Sequence, residues 1–428
     1  MRKFILIALS IILSLPVWAQ YPELEQKLFE LPDVSFSRIE TPTGYGAAYQ
    51  LKVKQPLDHT APEKGHFYQK VYLSHKGYDR PNVLITEGYN RNSNRLYEIS
   101  YLLDANQIDV EHRYFGESMP DELDYQYLNL EQATADLHKV REILGQIYQD
   151  DWVSSGISKG GQTTIFYRYF YPDDVTVSIP YVAPLNLEYE EERIYEFLDK
   201  IGTEECRQKI YTVQKRLLTY RNEVLRMLKW YSKGAKLNFN YLGFEEAFEY
   251  TVLEYPFSFW QWGAKCEDIP SETAPLEEVL DHLLSVSSLS FFADGEIEAY
   301  SSHYYQAAAQ MGYYGYETEE FEGLLKALPM QPHPHAAFTP NKMKVEFDGS
   351  LLPKVDKWIR EEGNNFIYIN GANDTWSATA TLPSKETNSL WFFLEGKDHG
   401  QARIRNMSPQ ERGRMVEALE KWLEMEIE

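Results

Sequence analysis

Between Asn82 and Val182 short apolar runs alternate with amphipathic helical stretches, and few folds accept that order. Asn82-Val-Leu-Ile-Thr86 is a compact β-type run that ends at Glu87-Gly88, and Ile108-Asp-Val110 is a second. From about Leu130, Ala133, Leu137, Val140 and Leu144 fall on one helical face. Trp152-Val-Ser-Ser155 is a third strand, broken at Gly156 and restarted as a helix near Gly160 with Ile165, Phe166 and Tyr169 on its apolar side. Val175–Val182 closes the series. Strand, helix, strand, helix is the pattern of a mainly parallel sheet covered by helices. Ahead of it, Ala48–Val53 alternates and Phe67–Leu73 is aromatic and β-branched, so both read as strands.

The pattern stops near Pro184 and the chain turns helical, rich in Tyr and Glu, as in Tyr189–Tyr195 and Thr212–Leu228. Strands resume with Asn365-Phe-Ile-Tyr-Ile369 and Leu390-Trp-Phe-Phe-Leu394. A last helix starts at Ser408-Pro-Gln-Glu411, which offers an N-cap, a proline at the first helical position and a capping-box Glu. The sequence therefore predicts one α/β core in two parts, 20–186 and 350–428, with a helical cap inserted over 187–349. Residues 1–19 stand apart. Arg2 and Lys3 precede an apolar run from Phe4 to Leu15, and Val17-Trp-Ala19 fits the small-residue rule for signal cleavage. A periplasmic or secreted protein without a membrane anchor is expected. Export would also allow Cys206 and Cys266 to pair, and a disulfide between them is expected, with two buried free thiols as the alternative.

Charge narrows the partners. In 428 residues, 42 Lys and Arg oppose 65 Asp and Glu, a net −23, which disfavours nucleic acid and anionic lipid. Metal or cofactor chemistry has no support in the sequence. His333-Pro-His335 has no third ligand in view, and no zinc spacing, P-loop or dinucleotide loop occurs.

Gly156-Ile-Ser-Lys-Gly160 carries the chemistry. A serine on a tight strand-to-helix turn has its hydroxyl lifted off the sheet, and the following helix aims its free N–H groups at developing negative charge. The tripartite glycine–serine–glycine pattern arises by chance about 0.1–0.2 times in a chain of this length. The order of the other candidates adds weight, because α/β-hydrolases place an acid and then a histidine after later strands. Asp374 follows the strand ending at Ile369, and His399 follows the strand ending at Leu394. The long gap between Ser158 and Asp374 is where the helical insert lies. Ser158 as nucleophile, His399 as base and Asp374 as its orienting acid are thus expected, ahead of Asp398, Ser154 and Ser155. The oxyanion donors would be backbone N–H groups of Lys159 and of Gly88 or Tyr89.

Further motifs point to one family. Gln55-Pro-Leu-Asp-His59, Thr86-Glu-Gly-Tyr-Asn90, Glu111-His-Arg-Tyr-Phe-Gly-Glu-Ser118, Glu131-Gln-Ala-Thr-Ala-Asp136, the segment 156–161 and Tyr304–Tyr314 occur in order. Together they resemble the prolyl tripeptidyl aminopeptidases of the PS-10 family and, less closely, the lysosomal Pro-X carboxypeptidase and dipeptidyl peptidase family. The latter usually has Asn-Glu-Gly-Asp at 86–89, Tyr at 159, commonly Cys at 308, and more cysteines. The resemblance implies an α/β-hydrolase fold and release of tripeptides from peptides with a free N-terminus, preferring Pro before the cut. A Pro pocket should be short and aromatic, for which Phe259, Trp260, Trp262 and Trp376 are candidates, with core packing as the alternative role. Glu87 is the expected carboxylate for the substrate ammonium; a buried structural ion pair is its plainer role, and the role expected of Glu111 with Arg113. Two rival readings remain: an esterase or amidase using the same three residues on non-peptide substrates, and a non-catalytic binding protein on the same scaffold.

Overall fold

The computed structural model describes residues 22–427. The segment 1–19 expected to be cleaved lies outside them. Nine strands form one sheet: β1 Val34–Arg38, β2 Ala47–Pro56, β3 His66–His75, β4 Asn82–Thr86, β5 Asn106–Val110, β6 Trp152–Ile157, β7 Val177–Tyr181, β8 Ile367–Gly371 and β9 Leu390–Leu394. Their spatial order is β1-β2-β3-β5-β4-β6-β7-β8-β9. The pairs among β1, β2, β3 and β5 are antiparallel, and every pair from β5 through β4 to β9 is parallel. This is the α/β-hydrolase fold.

The parallel strands are buried on both faces, which explains their unbroken apolar character. Period-two alternation splits β4 between two layers. Leu84 packs with Leu51, Ile108, Leu137 and Val140 on one side, whereas Val83 and Ile85 pack with Ile179, Ile369, Met415 and Leu419 on the other. The helix Leu130–Leu144 covers the first layer and the helix Pro409–Leu423 the second. The latter begins with the expected capping box between Ser408 and Glu411. The helix Pro22–Glu30 and strand β1 were not legible, because β1 is a five-residue edge strand whose side chains are only half-buried.

Between β7 and β8 the described chain contains no strand of the sheet, only helices and loops. Eight α-helices from Arg193–Leu198 to Pro334–Ala337 share an apolar core of their own, built on residues such as Leu217, Leu228, Phe248, Phe259 and Leu283. The helix Leu352–Glu361 then returns to the sheet, laying Leu352, Val355 and Ile359 against Ile165 and Phe166. Cys206 and Cys266 are bonded within the helical segment, with their Cα atoms 5.4 Å apart.

The segment 111–118 is held by buried charges, but not by the pair expected. Glu111 and Arg113 do not meet; each has its own partner. Glu111 takes Lys70 Nζ at 3.0 Å and accepts the N–H groups of Arg91, Glu117 and Ser118. Arg113 forms a two-pronged pair with Asp136, both bonds 2.7 Å, and donates to the carbonyls of Leu57 and Tyr127. Both partners are distant in sequence, Lys70 on β3 and Asp136 on the helix Leu130–Leu144, and only the fold brings them together. Breaking a buried pair strands a charge and costs about 3–5 kcal/mol. Asp136→Ala should lower the unfolding free energy by about that amount in urea titrations; a loss below about 1 kcal/mol would show that the pair is not structural.

Candidate functional site

The site is assembled where the C-terminal ends of the parallel strands meet the helical segment. Ser158 follows β6 and precedes the helix Lys159–Phe170, with φ 58° and ψ −124°. That left-handed backbone costs about 1–3 kcal/mol and needs surrounding structure to hold it. The glycines supply room rather than the turn angle itself. A Cβ on Gly156 would collide with the carbonyl of Gly160, and one on Gly160 would sit 2.5 Å from the carbonyl of Thr86. The Ser158 N–H is tied to Tyr181 O at 2.9 Å, and Thr86 Oγ1 donates to Gly160 O at 2.8 Å.

Asp374 and His399 meet although they lie on separate loops after β8 and β9. His399 Nδ1 and Asp374 Oδ2 are 2.9 Å apart, with Asp374 fully buried and His399 5% exposed. Asp374 also accepts the N–H of Trp376 and the hydroxyl of Ser377, both at 3.2 Å. A carboxylate held by three donors is fixed in place and available to orient an imidazole. Ser158 and His399 line the same cavity, of about 520 Å³, whose wall combines Ile157, Lys159, Tyr89 and Trp376 with Glu254, Tyr300 and Tyr314 of the helical segment. Asp398, beside the histidine, instead accepts the N–H groups of Gly400 and Gln401 and shapes the loop.

The other sequence candidates divide. Lys159 and Tyr89 line the cavity, whereas Gly88 lies behind Lys159, with its carbonyl accepting from Lys159 Nζ at 2.7 Å. Trp262, 60% exposed, meets His399 edge-on at 5.9 Å, and Trp376 faces Tyr314 at 4.9 Å. Phe259 and Trp260 are not on this cavity. Phe259 is fully buried in the helical core, and Trp260 packs against Gly202 on another face. A helix turns successive residues by about 100°, so the aromatic run cannot all face one pocket. Glu87 is on the wall but already engaged, by the Tyr97 hydroxyl and by Arg91 at 3.5 Å. His333 faces Glu190 at 2.6 Å, away from the cavity.

Two buried ionisable side chains on this wall had no sequence signal. The Lys159 side chain lies between the rings of Tyr89 and Phe115, and burial holds it well below its ordinary value of 10.5. The same burial, with Lys159 nearby, lowers His112 and His303. Glu254, 4% exposed, accepts the hydroxyls of Tyr314 at 2.9 Å and Tyr316 at 2.6 Å. Burial pushes it up to about 7, against the opposing hydroxyls of Tyr316, Tyr314 and Ser258.

The sheet order and the cavity at its strand ends, lined in part by residues of the helical segment, define an α/β-hydrolase. Comparison with known proteins gives its class. The profile of the family described as PS-10 peptidase S37 matches residues 20–426. The prolyl tri/tetrapeptidyl aminopeptidase of Streptomyces mobaraensis is 30% identical over 415 residues, covering 95% of this chain and 86% of that one. A serine protease of Bipolaris victoriae is 38% identical over 110 residues, 21% of this chain and 20% of its own. Among solved structures, the proline iminopeptidase of Mycobacterium smegmatis aligns with 87% of this chain and 98% of its own, at 12% identity and a TM-score of 0.41. The protein is a serine peptidase of the tripeptidyl aminopeptidase type. The chain belongs to the PS-10 peptidase S37 family.

The Lys159 environment gives a test by pH. The folded chain holds this amine unprotonated at pH values where the unfolded chain keeps it charged. Unfolding then takes up a proton, so this residue's contribution to stability rises with pH until about 10.5. Lys159→Met removes that dependence. Between pH 6 and pH 10 the parent should gain stability relative to Lys159→Met in urea midpoints; a constant difference, or one moving the other way, contradicts the buried amine.

Proposed function

We propose that Ser158, His399 and Asp374 are the nucleophile, base and orienting acid of a secreted exopeptidase that releases N-terminal tripeptides, with Pro before the cut. The observation that carries this reading is the 2.9 Å His399–Asp374 bond on a cavity that also holds Ser158 on its strained turn. His399 Nε2 takes the proton as Ser158 Oγ adds to the scissile carbonyl, and Asp374 stabilises the imidazolium through Nδ1–H. The oxyanion is met by the N–H of Lys159, at the first position of its helix, and by the Tyr89 backbone. Collapse expels the new amine with the proton from His399. Water, deprotonated by the same nitrogen, then frees the peptide acid and restores Ser158.

The Streptomyces relative's name supports proline and the count of three or four residues. Trp376 and Trp262 line the cavity that holds His399 and offer the apolar walls that a proline ring needs. The helical segment 187–349 acts as a cap that closes the cavity against longer chains. Export rests on the Phe4–Leu15 run and is compatible with the Cys206–Cys266 bond. Among the described residues no helix is long and apolar enough to cross a membrane.

Digests of a peptide library with free and acetylated N-termini test the reading by mass spectrometry. N-terminal tripeptides ending in Pro should accumulate only from free termini. Ser158→Ala should abolish both this release and labelling by a fluorophosphonate, while a residual rate above that in water is compatible with an intact oxyanion site. Labelling that survives the substitution, or internal cleavage of blocked peptides, contradicts it.

A further inference from the structure

A peptidase that counts from an N-terminus must recognise an ammonium, and two carboxylates line the catalytic cavity: Glu87 and Glu254. Their surroundings differ. Glu87 already has a guanidinium, from Arg91, and the Tyr97 hydroxyl. Glu254 has only neutral donors, and among the described residues no cationic side chain pairs with it. A buried carboxylate without a counter-charge is costly, and a cation arriving in the cavity would relieve that cost. The wall around it suits an ammonium. Tyr313, Tyr314 and Trp376 all line the cavity, with Tyr313 and Tyr314 rings 4.4 Å apart and Tyr314 and Trp376 rings 4.9 Å apart. Their faces attract a cation once water is excluded.

The position of Glu254 adds a length. Glu254 immediately precedes the helix Tyr255–Gln261, and its carbonyl accepts the N–H of Ser258 at 3.0 Å. The far end of the same helix holds the base, since Gln261 O accepts the N–H of His399 at 3.1 Å. Seven helical residues rise about 10 Å. Three residues of extended peptide span about 10–11 Å. Thr375, next to the orienting acid, is fastened to this helix too, by its hydroxyl on Phe257 O at 2.9 Å.

We propose that Glu254 anchors the substrate's N-terminal ammonium and that the helix Tyr255–Gln261 sets the distance from that anchor to the scissile bond. The proposal rests on the exopeptidase reading above. The groups facing Glu254 are Tyr314, Tyr316 and Ser258, with Tyr304 and Tyr313 behind them; burial raises all four tyrosines, so they stay neutral across the working range. Glu254 itself, raised to about 7, is protonated at low pH. Selectivity for a free terminus over an acetylated one should therefore grow as pH rises through about 7, and fade again where the substrate amine deprotonates, near 8.

The test compares fluorogenic tripeptide substrates with Pro at the third residue, free and acetylated, with a small uncharged ester and the fluorophosphonate. Glu254→Gln should lower kcat/KM on the free substrate about 10²–10³-fold, chiefly through KM, and erase the rise in selectivity near pH 7. Ester turnover and probe labelling should fall far less than kcat/KM on the free substrate, because neither small molecule carries an ammonium. The melting temperature at pH 8 should hold or rise, since a buried charge has been removed; a merely structural glutamate would lower it. Should Glu254→Gln fail to fold, Glu254→Asp keeps the charge but withdraws it by one methylene, and should lose about ten-fold in the same selectivity. Undiminished preference for free termini in either folded variant overturns the assignment, as does loss of that preference in Glu87→Gln alone. A parent enzyme that cuts acetylated peptides equally well overturns the exopeptidase reading and this anchor with it. One that prefers free termini, with Glu254→Gln unaltered, overturns the anchor alone.

Discussion

The close approach of three backbone segments is the constraint on which the site depends. The end of β4, the end of β6 and the first turn of the helix after Ser158 pack so tightly that Cβ atoms are excluded at Gly156 and Gly160. Thr86 locks the contact by donating to Gly160 O and meeting Thr164 at 2.7 Å. This packing offsets the strained backbone at Ser158 and places the serine above the sheet. The loop after β4, which carries Gly88 and Tyr89, is bound to the same elbow through Lys159 Nζ. Ser158, Lys159 and the loop carrying Gly88 and Tyr89, the nucleophile and oxyanion donors proposed above, are therefore parts of one packed junction.

Buried charge is handled in two ways around that junction. Away from the cavity, charges are neutralised: Arg113 by Asp136, Glu111 by Lys70, Arg91 by Asp109. On the cavity wall, Lys159 and Glu254 lack such partners among the described residues and are each displaced toward the neutral form by burial. The first arrangement fixes loops. The second leaves groups whose state depends on what enters the cavity, which is where recognition of a charged substrate terminus would act.

Much of this was legible from sequence because period and order survive without coordinates. β4 and β9 fall at the residues expected, and the Ser408 capping box marks its helix start. Ser158, Asp374 and His399 could be selected since strand ends locate them on one edge of a parallel sheet. Side-chain direction within the helical segment could not be selected that way. Phe259 and Trp260 face away from the cavity while Trp262, two residues on, faces His399. Nor does any local pattern distinguish Glu254 among many acidic residues; only the fold brings the Tyr314 and Tyr316 hydroxyls to it. The Glu111 and Arg113 partners are equally non-local, at Lys70 and Asp136.

The central claim is that Ser158 carries a three-residue acyl group during turnover. Acid-quenching the enzyme during turnover of a free-terminus substrate with Pro at the third residue, followed by peptide mapping, reads this directly. The account predicts an adduct on the Ser158 peptide with the mass of the substrate's first three residues, absent when the terminus is acetylated. An adduct on another residue, an acyl group of a different length, or a burst of released product without any adduct on Ser158 would contradict it.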